Sequence, residues 1–287
     1  MAKVPAVDRS KLVLDFLAGN PQRSYRAAEV SKQLEMHRAS CFTLLNALAD
    51  AGLVTRDPDG PRYSLGPLLI RYGAKSARAY EGFAEARREM FRLADAVGYG
   101  CMLSGRLGHD VLTLDSVAVD EAGFPGGRSP LRAPRGTIFL AWSPADELEE
   151  WLEWSGVSAS EEQRRAFVRA AAAIRARGYS LGADIELGMS LERIAHQLAS
   201  TEGPDSLEQA MYQLANLLRR SGRSVADGGS FEESVHFITA PIFNRMGVPT
   251  LTFTLVAGAA PFPKPDVKGL AQRVVESADQ ASKAINA

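Results

Sequence analysis

Apolar side chains recur at helical spacing in three short segments near the start of the chain, which predicts three helices. Gly19-Asn20-Pro21 ends the first segment, Ser24 is the nearest good capping residue for the second, and Ala51-Gly52 ends the third. The three apolar sets are Val13, Phe16 and Leu17; Ala27, Val30 and Leu34; and Cys41, Leu44, Leu45 and Leu48.

The stretch after the third helix has the pattern of a hairpin. Leu53-Val54-Thr55 and Tyr63-Ser64-Leu65 are typical of short strands, and the turn residues of 57–61 join them. Three helices and a β-hairpin predict a winged helix-turn-helix over residues 1–72. Such a unit places its third helix in the major groove of duplex DNA, while the hairpin lies along the phosphates.

The predicted outward side of the third helix carries small or hydrogen-bonding residues instead of the usual mixture of glutamate and lysine. Residues 1–78 hold 12 lysines and arginines against 7 aspartates and glutamates, whereas the rest of the chain holds 21 against 27. A basic first part favours a polyanionic partner, although a protein-interaction module stays open. The residues predicted to contact DNA are Arg26, Arg38, Ala39, Ser40, Thr43, Asn46, Arg56 and Arg62.

The remainder of the chain alternates between helical and strand-like patterns. Phe83, Met90, Leu93 and Val97 lie near one helical stripe. Two strands are predicted around Gly105–Gly108 and two more near the end of the chain, in HFITAPIFNR and VPTLTFTLVAG. Helices are predicted over about 161–177 and 266–285. Mixed strands and flanking helices predict an α+β domain with a concave centre.

Composition and motifs narrow the classes of function. Among 287 residues, 46% are hydrophobic, yet no apolar run approaches the length of a membrane span. Two distant cysteines favour a reducing compartment, so we expect a cytoplasmic protein with both thiols in the core. The four histidines lack metal-ligand spacing, and neither a G-x-S-x-G motif nor a phosphate-binding loop occurs. We therefore expect no metal, cofactor or catalysis, with an enzyme as the alternative.

The segment from Arg56 to Gly66 is similar to a known family motif. It matches the wing pattern R-D-x-D-G-x-Y-x-L-G of the IclR family of bacterial transcriptional regulators, with one extra residue, and Gly73 completes it. The resemblance implies a linker helix over 73–98 where dimers meet, and a GAF-like effector-binding domain over 99–287. Within that domain, residues 189–234 form a helical insertion that the family lacks.

The third helix departs from the family pattern P-K-S-T-V-H-R-L-L. Arg38 stands for the lysine, but Ala39, Ser40, Phe42 and Thr43 replace the family's serine, threonine, histidine and arginine. The loss of that arginine removes the side chain that most often reads guanine. The resemblance implies a dimer, or a dimer of dimers, on a pseudo-palindromic operator whose sequence cannot be taken from relatives.

The resemblance also implies where a small-molecule effector binds. Phe237 replaces a common cysteine and Val256 replaces a hydroxyl-bearing residue, which favours an apolar or aromatic ligand. Arg132 or Arg135 is available to pair with one carboxylate. Ordinary core packing is the alternative for the strand residues. The predicted effector-binding residues are Arg132, Arg135, Thr137, Met189, Phe237, Thr239, Thr254 and Val256.

Overall fold

The computed structural model describes residues 4–58, 60–119, 127–131, 136–154, 161–182, 235–258 and 260–287. The chain divides into two compact units, the first running through Tyr80 and the second beginning at Glu81. The predicted insertion at 189–234 lies outside the described residues. Helices and strands are mixed in both units, which confirms the predicted α+β fold.

The first unit contains the three predicted helices and the hairpin. The hairpin gains a third strand, because a two-residue strand before the second helix pairs antiparallel with the last strand of the hairpin. Two residues are too few to show a strand alternation in a sequence, so this strand was not predicted. The elements are α1 (Pro5–Ala18), β1 (Tyr25–Arg26), α2 (Ala27–Gln33), α3 (Arg38–Asp50), β2 (Val54–Arg56), β3 (Arg62–Leu65) and α4 (Leu68–Ala79).

One apolar core holds this unit together. The predicted stripe of α3 supplies Cys41, Leu45 and Leu48, all buried, and Leu44 is half-buried. The predicted cap of α2 at Ser24 was wrong, because the helix begins after Arg26. The other buried core residues are Val13, Leu17, Tyr25, Val30, Val54 and Tyr63.

Gly66 closes the hairpin against the end of α3. A Cβ atom at this position would lie 2.6 Å from the carbonyl carbon of Leu53 and 2.7 Å from the backbone nitrogen of Val54. The Gly66 N–H donates to the carbonyl oxygen of Leu53 at 2.9 Å. Backbone therefore approaches backbone here, and only glycine leaves the space for that approach.

The segment 73–98, predicted as one linker helix, contains the end of α4 and a second helix, α5 (Phe83–Val97). The break falls at Gly82, which has a positive φ of 75°. A side chain at Gly82 would also meet Ile285, whose Cγ1 atom is 2.7 Å from the position of a built Cβ. Helical periodicity does not reveal this break because both segments are amphipathic.

The strands of the second unit are β4 (Gly100–Leu107), β5 (Asp110–Val117), β6 (Arg128–Pro130), β7 (Ser180–Gly182), β8 (Phe237–Phe243) and β9 (Pro249–Val256), and its further helices are α6 (Thr137–Leu140), α7 (Ala145–Trp154), α8 (Glu161–Arg177) and α9 (Val267–Asn286). The strands form a six-stranded antiparallel sheet in the order β6-β5-β4-β9-β8-β7. The two predicted terminal strands and the helix predicted over 161–177 are confirmed, and the described residues contain two helices, α6 and α7, that were not predicted.

Helices α5 and α9 pack on one face of this sheet. The opposite face lies on the side of α6 and α7, because Trp142 packs edge-on against Phe243 of β8 at 5.2 Å between ring centroids. Arg106 of β4 pairs with Glu147 of α7 at 2.9 Å, on the same side. Successive side chains along β8 and β9 therefore face, in turn, the side of α5 and α9 and the side of α6 and α7.

Replacing Gly66 by alanine is expected to lower the free energy of unfolding of the first unit by about 1 to 3 kcal/mol, since the methyl group must displace backbone. Urea denaturation followed by circular dichroism measures the loss. Gly73→Ala is the matched control, because Gly73 lies within α4 with open space around its Cα. This control is expected to gain up to about 1 kcal/mol from helix propensity. Equal stability of the two variants would contradict the steric argument.

Candidate functional sites

The outward side of α3 is exposed over its first two turns. Arg38, Ala39, Ser40 and Thr43 lie in solvent, and Phe42 exposes 43% of its surface between them. The hydroxyl of Thr43 donates to the carbonyl oxygen of Ala39 at 3.0 Å, which leaves its methyl group outermost. The outward side therefore combines a cation and a hydroxyl with several apolar groups.

Asn46 is held by the hairpin. It is half-buried, and the phenolic O–H of Tyr63 donates to its Oδ1 atom at 2.9 Å. Tyr63 itself is fully buried on β3, so the bond ties α3 to the hairpin. With this oxygen engaged, Asn46 presents mainly its amide N–H donors outward, which suits acceptors on a base or a phosphate.

Two predicted DNA-contacting arginines lie opposite each other across strands β1 and β3. Arg26 and Arg62 are register partners, and the carboxylate of Glu29 interacts with the charge of Arg62. The pKa of Glu29 is lowered, first by the hydrogen bond from the backbone N–H of Arg26 and then by Arg23. The guanidinium of Arg62 also donates to the carbonyl oxygen of Ser24 at 3.1 Å. Arg62 therefore braces the sheet as well as carrying charge.

Arg38 is the first residue of α3 and Arg56 is the last residue of β2. Both side chains are exposed, and neither forms an ion pair with any residue that the structure describes. An open groove runs between α3 and β2 and is lined in part by Asn46, Thr55 and Arg56. These cations are accessible to an anionic partner.

Four predicted effector residues share one face of the six-stranded sheet. Phe237 is the register partner of Val256, and Thr239 is the register partner of Thr254. Directly paired residues of antiparallel strands project to the same side. Phe237, Thr239 and Phe243 are separated by even numbers of positions on β8, so their side chains project to the same side of the sheet. Trp142 packs on that side, against Phe243. We call Phe237, Thr239, Thr254 and Val256 the effector patch.

The effector patch joins a hydroxyl pair to apolar surface. The Oγ1 atoms of Thr239 and Thr254 lie 3.0 Å apart, so one hydroxyl donates to the other. The accepting hydroxyl keeps its own proton for a further partner. Beside the pair, Val256 and Met102 are buried, and Phe237 is half-buried. This arrangement suits a flat apolar group that carries one hydrogen-bond acceptor.

The structure describes one of the other four predicted effector residues. Thr137 begins α6, is 4% exposed and lies on a helix that contacts β8. Arg132, Arg135 and Met189 lie outside the described residues. The indole N–H of Trp151 donates to the carbonyl oxygen of Leu131 at 2.6 Å, which anchors the chain just before the arginines.

Both cysteines are free and buried, as the sequence predicted. Burial raises the pKa of the Cys101 thiol to about 12 and also raises that of Cys41. Over the described ranges, His, Cys, Asp and Glu side chains do not gather in groups of three suited to a metal ion. Within the same ranges, every helix is too short or too polar to cross a membrane.

Residues 6–58 match the family model of the IclR helix-turn-helix domain. This match covers α1 to α3 and β2, and it therefore includes the exposed side of α3. The chain therefore contains a helix-turn-helix domain of the IclR type. It is similar to the HTH-type transcriptional regulator XynR of Escherichia coli strain K12, with 23% identity over 193 residues that cover 64% of this chain and 76% of XynR. The family model and the similarity to XynR both relate this chain to transcriptional regulators.

Solved structures of IclR-family proteins are similar to this chain in fold. The IclR transcriptional regulator from Alicyclobacillus acidocaldarius is 21% identical, with 100% of each chain covered and a TM-score of 0.60. An IclR homolog from Microbacterium hydrocarbonoxydans, complexed with 4-hydroxybenzoate, is 16% identical, covers 96% of this chain and 98% of its own, and has a TM-score of 0.59.

Sequence reasoning missed two residues whose contacts link elements of the first unit, Tyr63 and Glu29. Tyr63 was assigned only to a strand, although the tyrosine of the wing motif was visible in the sequence. The sequence gave no indication of a role for Glu29, because that role depends on three arginines that come together only in the folded unit. Met102 was missed as a neighbour of the effector patch, since its pairing with Thr254 joins distant strands.

Tyr63→Phe is expected to lower the free energy of unfolding of the first unit by about 1 kcal/mol, because the bond to Asn46 is lost while the ring stays packed. It is also expected to weaken DNA binding, since Asn46 is no longer fixed. Chemical denaturation and fluorescence anisotropy with labelled duplex measure the two effects. Tyr99→Phe is the matched control, because Tyr99 is a half-buried tyrosine of the second unit whose ring packs edge-on against Phe262. Wild-type behaviour of both variants would contradict a role for the bond.

Proposed function

We propose that this regulator binds a pseudo-palindromic duplex operator as a dimer or a dimer of dimers, and that a small, partly apolar or aromatic metabolite controls the binding. The observation that carries the proposal is the exposed side of α3, where Arg38, Ala39, Ser40 and Thr43 are accessible above a buried stripe. The proposed division is a DNA-binding domain over 1–72, a connector over 73–98 and an effector domain over 99–287.

Charge and shape support the DNA-binding part of the proposal. The N-terminal residues of a reading helix contact base edges, and neighbouring cations contact phosphates. Arg38 and Arg56 are exposed on neighbouring elements, and Arg26 is exposed opposite Arg62. Phosphate contacts supply much of the affinity in such complexes, so binding is expected to weaken steeply with salt.

Helix α4 supports the proposal of a symmetric oligomer. None of its residues is buried in the described chain, although its apolar and polar residues are strongly segregated. Ile70 is 76% exposed and Tyr72 is 53% exposed. A second copy of the same chain would cover these side chains and place two reading helices on two half-sites.

The effector patch supports an aromatic or partly apolar ligand. Phe237, Val256 and Met102 supply apolar surface, and the Thr239–Thr254 pair supplies an O–H donor for a carboxylate or phenol oxygen. The Microbacterium homolog of this fold was crystallised with 4-hydroxybenzoate, a ligand of that chemical type. An effector changes transcription only through different affinities for the DNA-competent and DNA-incompetent states.

Arg38→Ala is expected to weaken binding to duplex from the protein's own promoter region and to lower the salt slope of the affinity by about one. Fluorescence anisotropy over a salt series measures both quantities. Arg169→Ala is the matched control, because Arg169 is an exposed arginine on α8, outside the connector. A salt-independent or undetectable association of the wild-type protein with DNA would favour the protein-interaction alternative.

Benzoates and phenols are expected to raise the melting temperature of the protein more than small oxo-acids do, because they fill the apolar part of the patch. Thr254→Val is expected to reduce the shift by removing the hydroxyl pair. Thr250→Val is the control, a change of the same kind on β9 outside the patch. A larger shift with oxo-acids would contradict the proposed ligand class, and turnover of a ligand without DNA would favour an enzyme.

A further inference from the structure

We infer that Phe42 is a specificity-determining residue that reads the C5-methyl group of thymine in each half-site. The inference rests on the proposed DNA-binding function and names a residue outside the set predicted to contact DNA. Phe42 lies in the second turn of α3, one turn before Asn46, and 43% of its surface is exposed.

The ring belongs to a continuous apolar strip on the exposed side of the helix. Ala39, Phe42 and Thr43 occupy positions i, i+3 and i+4, which are neighbours on a helix surface. All three are exposed. Because the Thr43 hydroxyl donates to the carbonyl oxygen of Ala39, its methyl group extends the strip. The polar groups Arg38 and Ser40 border the strip instead of interrupting it.

The chemistry of the major groove offers one apolar feature for such a strip. Guanine, cytosine and adenine present donors and acceptors there, whereas thymine adds a C5-methyl group. Alanine, the threonine methyl group and phenylalanine are the side chains that contact that methyl group. A phenyl ring cannot form hydrogen bonds with the donors and acceptors of the other base edges. It therefore distinguishes thymine from the other bases.

The surroundings of Phe42 differ from those of another exposed phenylalanine. The ring of Phe91 on α5 is covered by the guanidinium of Arg87, 4.8 Å from the ring centroid. Over the described ranges, the ring of Phe42 has no such cation and no aromatic ring against it. The Phe42 surface is therefore available to a partner.

The test begins with duplexes that the wild-type protein selects from a random pool. Each thymine of the selected half-site is then replaced singly by deoxyuridine, which removes only the C5-methyl group. At one or more positions, the wild-type affinity is expected to fall about fourfold, the effect of exposing one apolar carbon to water. Phe42→Ala is expected to bind the thymine and deoxyuridine duplexes equally at those positions.

Controls separate this inference from the function on which it rests. Val168→Ala, a change at an equally exposed apolar residue of α8, is expected to keep the wild-type sensitivity to deoxyuridine, and Phe42→Leu is expected to keep part of it. Insensitivity of the wild-type protein at every thymine would overturn the reading of methyl groups while leaving DNA binding intact, as would full sensitivity in Phe42→Ala. If the wild-type protein selects no duplex, the proposed function itself fails.

Discussion

Burial of the apolar side of α3 determines which side chains of the helix are exposed. Cys41, Leu45 and Leu48 must leave water, and the helical period then carries Ala39 and Thr43 to the opposite surface. The orientation of the exposed side chains follows from core packing and needs no contact of their own. Because the same core also holds Tyr63 of the hairpin, helix and wing are positioned by a single cluster.

Core packing also determines the orientation of side chains in the sheet of the second unit, where they alternate between the two faces with a period of two. Ile238 and Phe253 are fully buried in the strands that carry the effector patch, and alternation turns Thr239 and Thr254 to the other side. In both units the polar groups near the candidate sites are held by internal hydrogen bonds, Tyr63 to Asn46 and Thr239 with Thr254. Such bonds fix geometry before a partner arrives.

The two candidate sites differ from the family pattern in the same chemical direction. By the resemblance of the sequence, Phe42 on α3 stands where the family commonly has a histidine, and Phe237 and Val256 on the strands stand where it commonly has a cysteine and a hydroxyl-bearing residue. Solved structures that are 16% and 21% identical are similar in fold. A backbone set by packing therefore tolerates different side chains at these positions.

The sequence by itself determined the elements whose pattern is long and periodic: α1 to α3, the hairpin, α8 and the two terminal strands, together with the wing motif that indicates the family. Local spacing is enough there, because each element buries one face. Tertiary structure alone decided the strand β1, the break at Gly82 and the engagement of Asn46 and Arg62. Each of these depends on contacts between residues far apart in the chain, and such contacts leave no periodic trace in a single sequence.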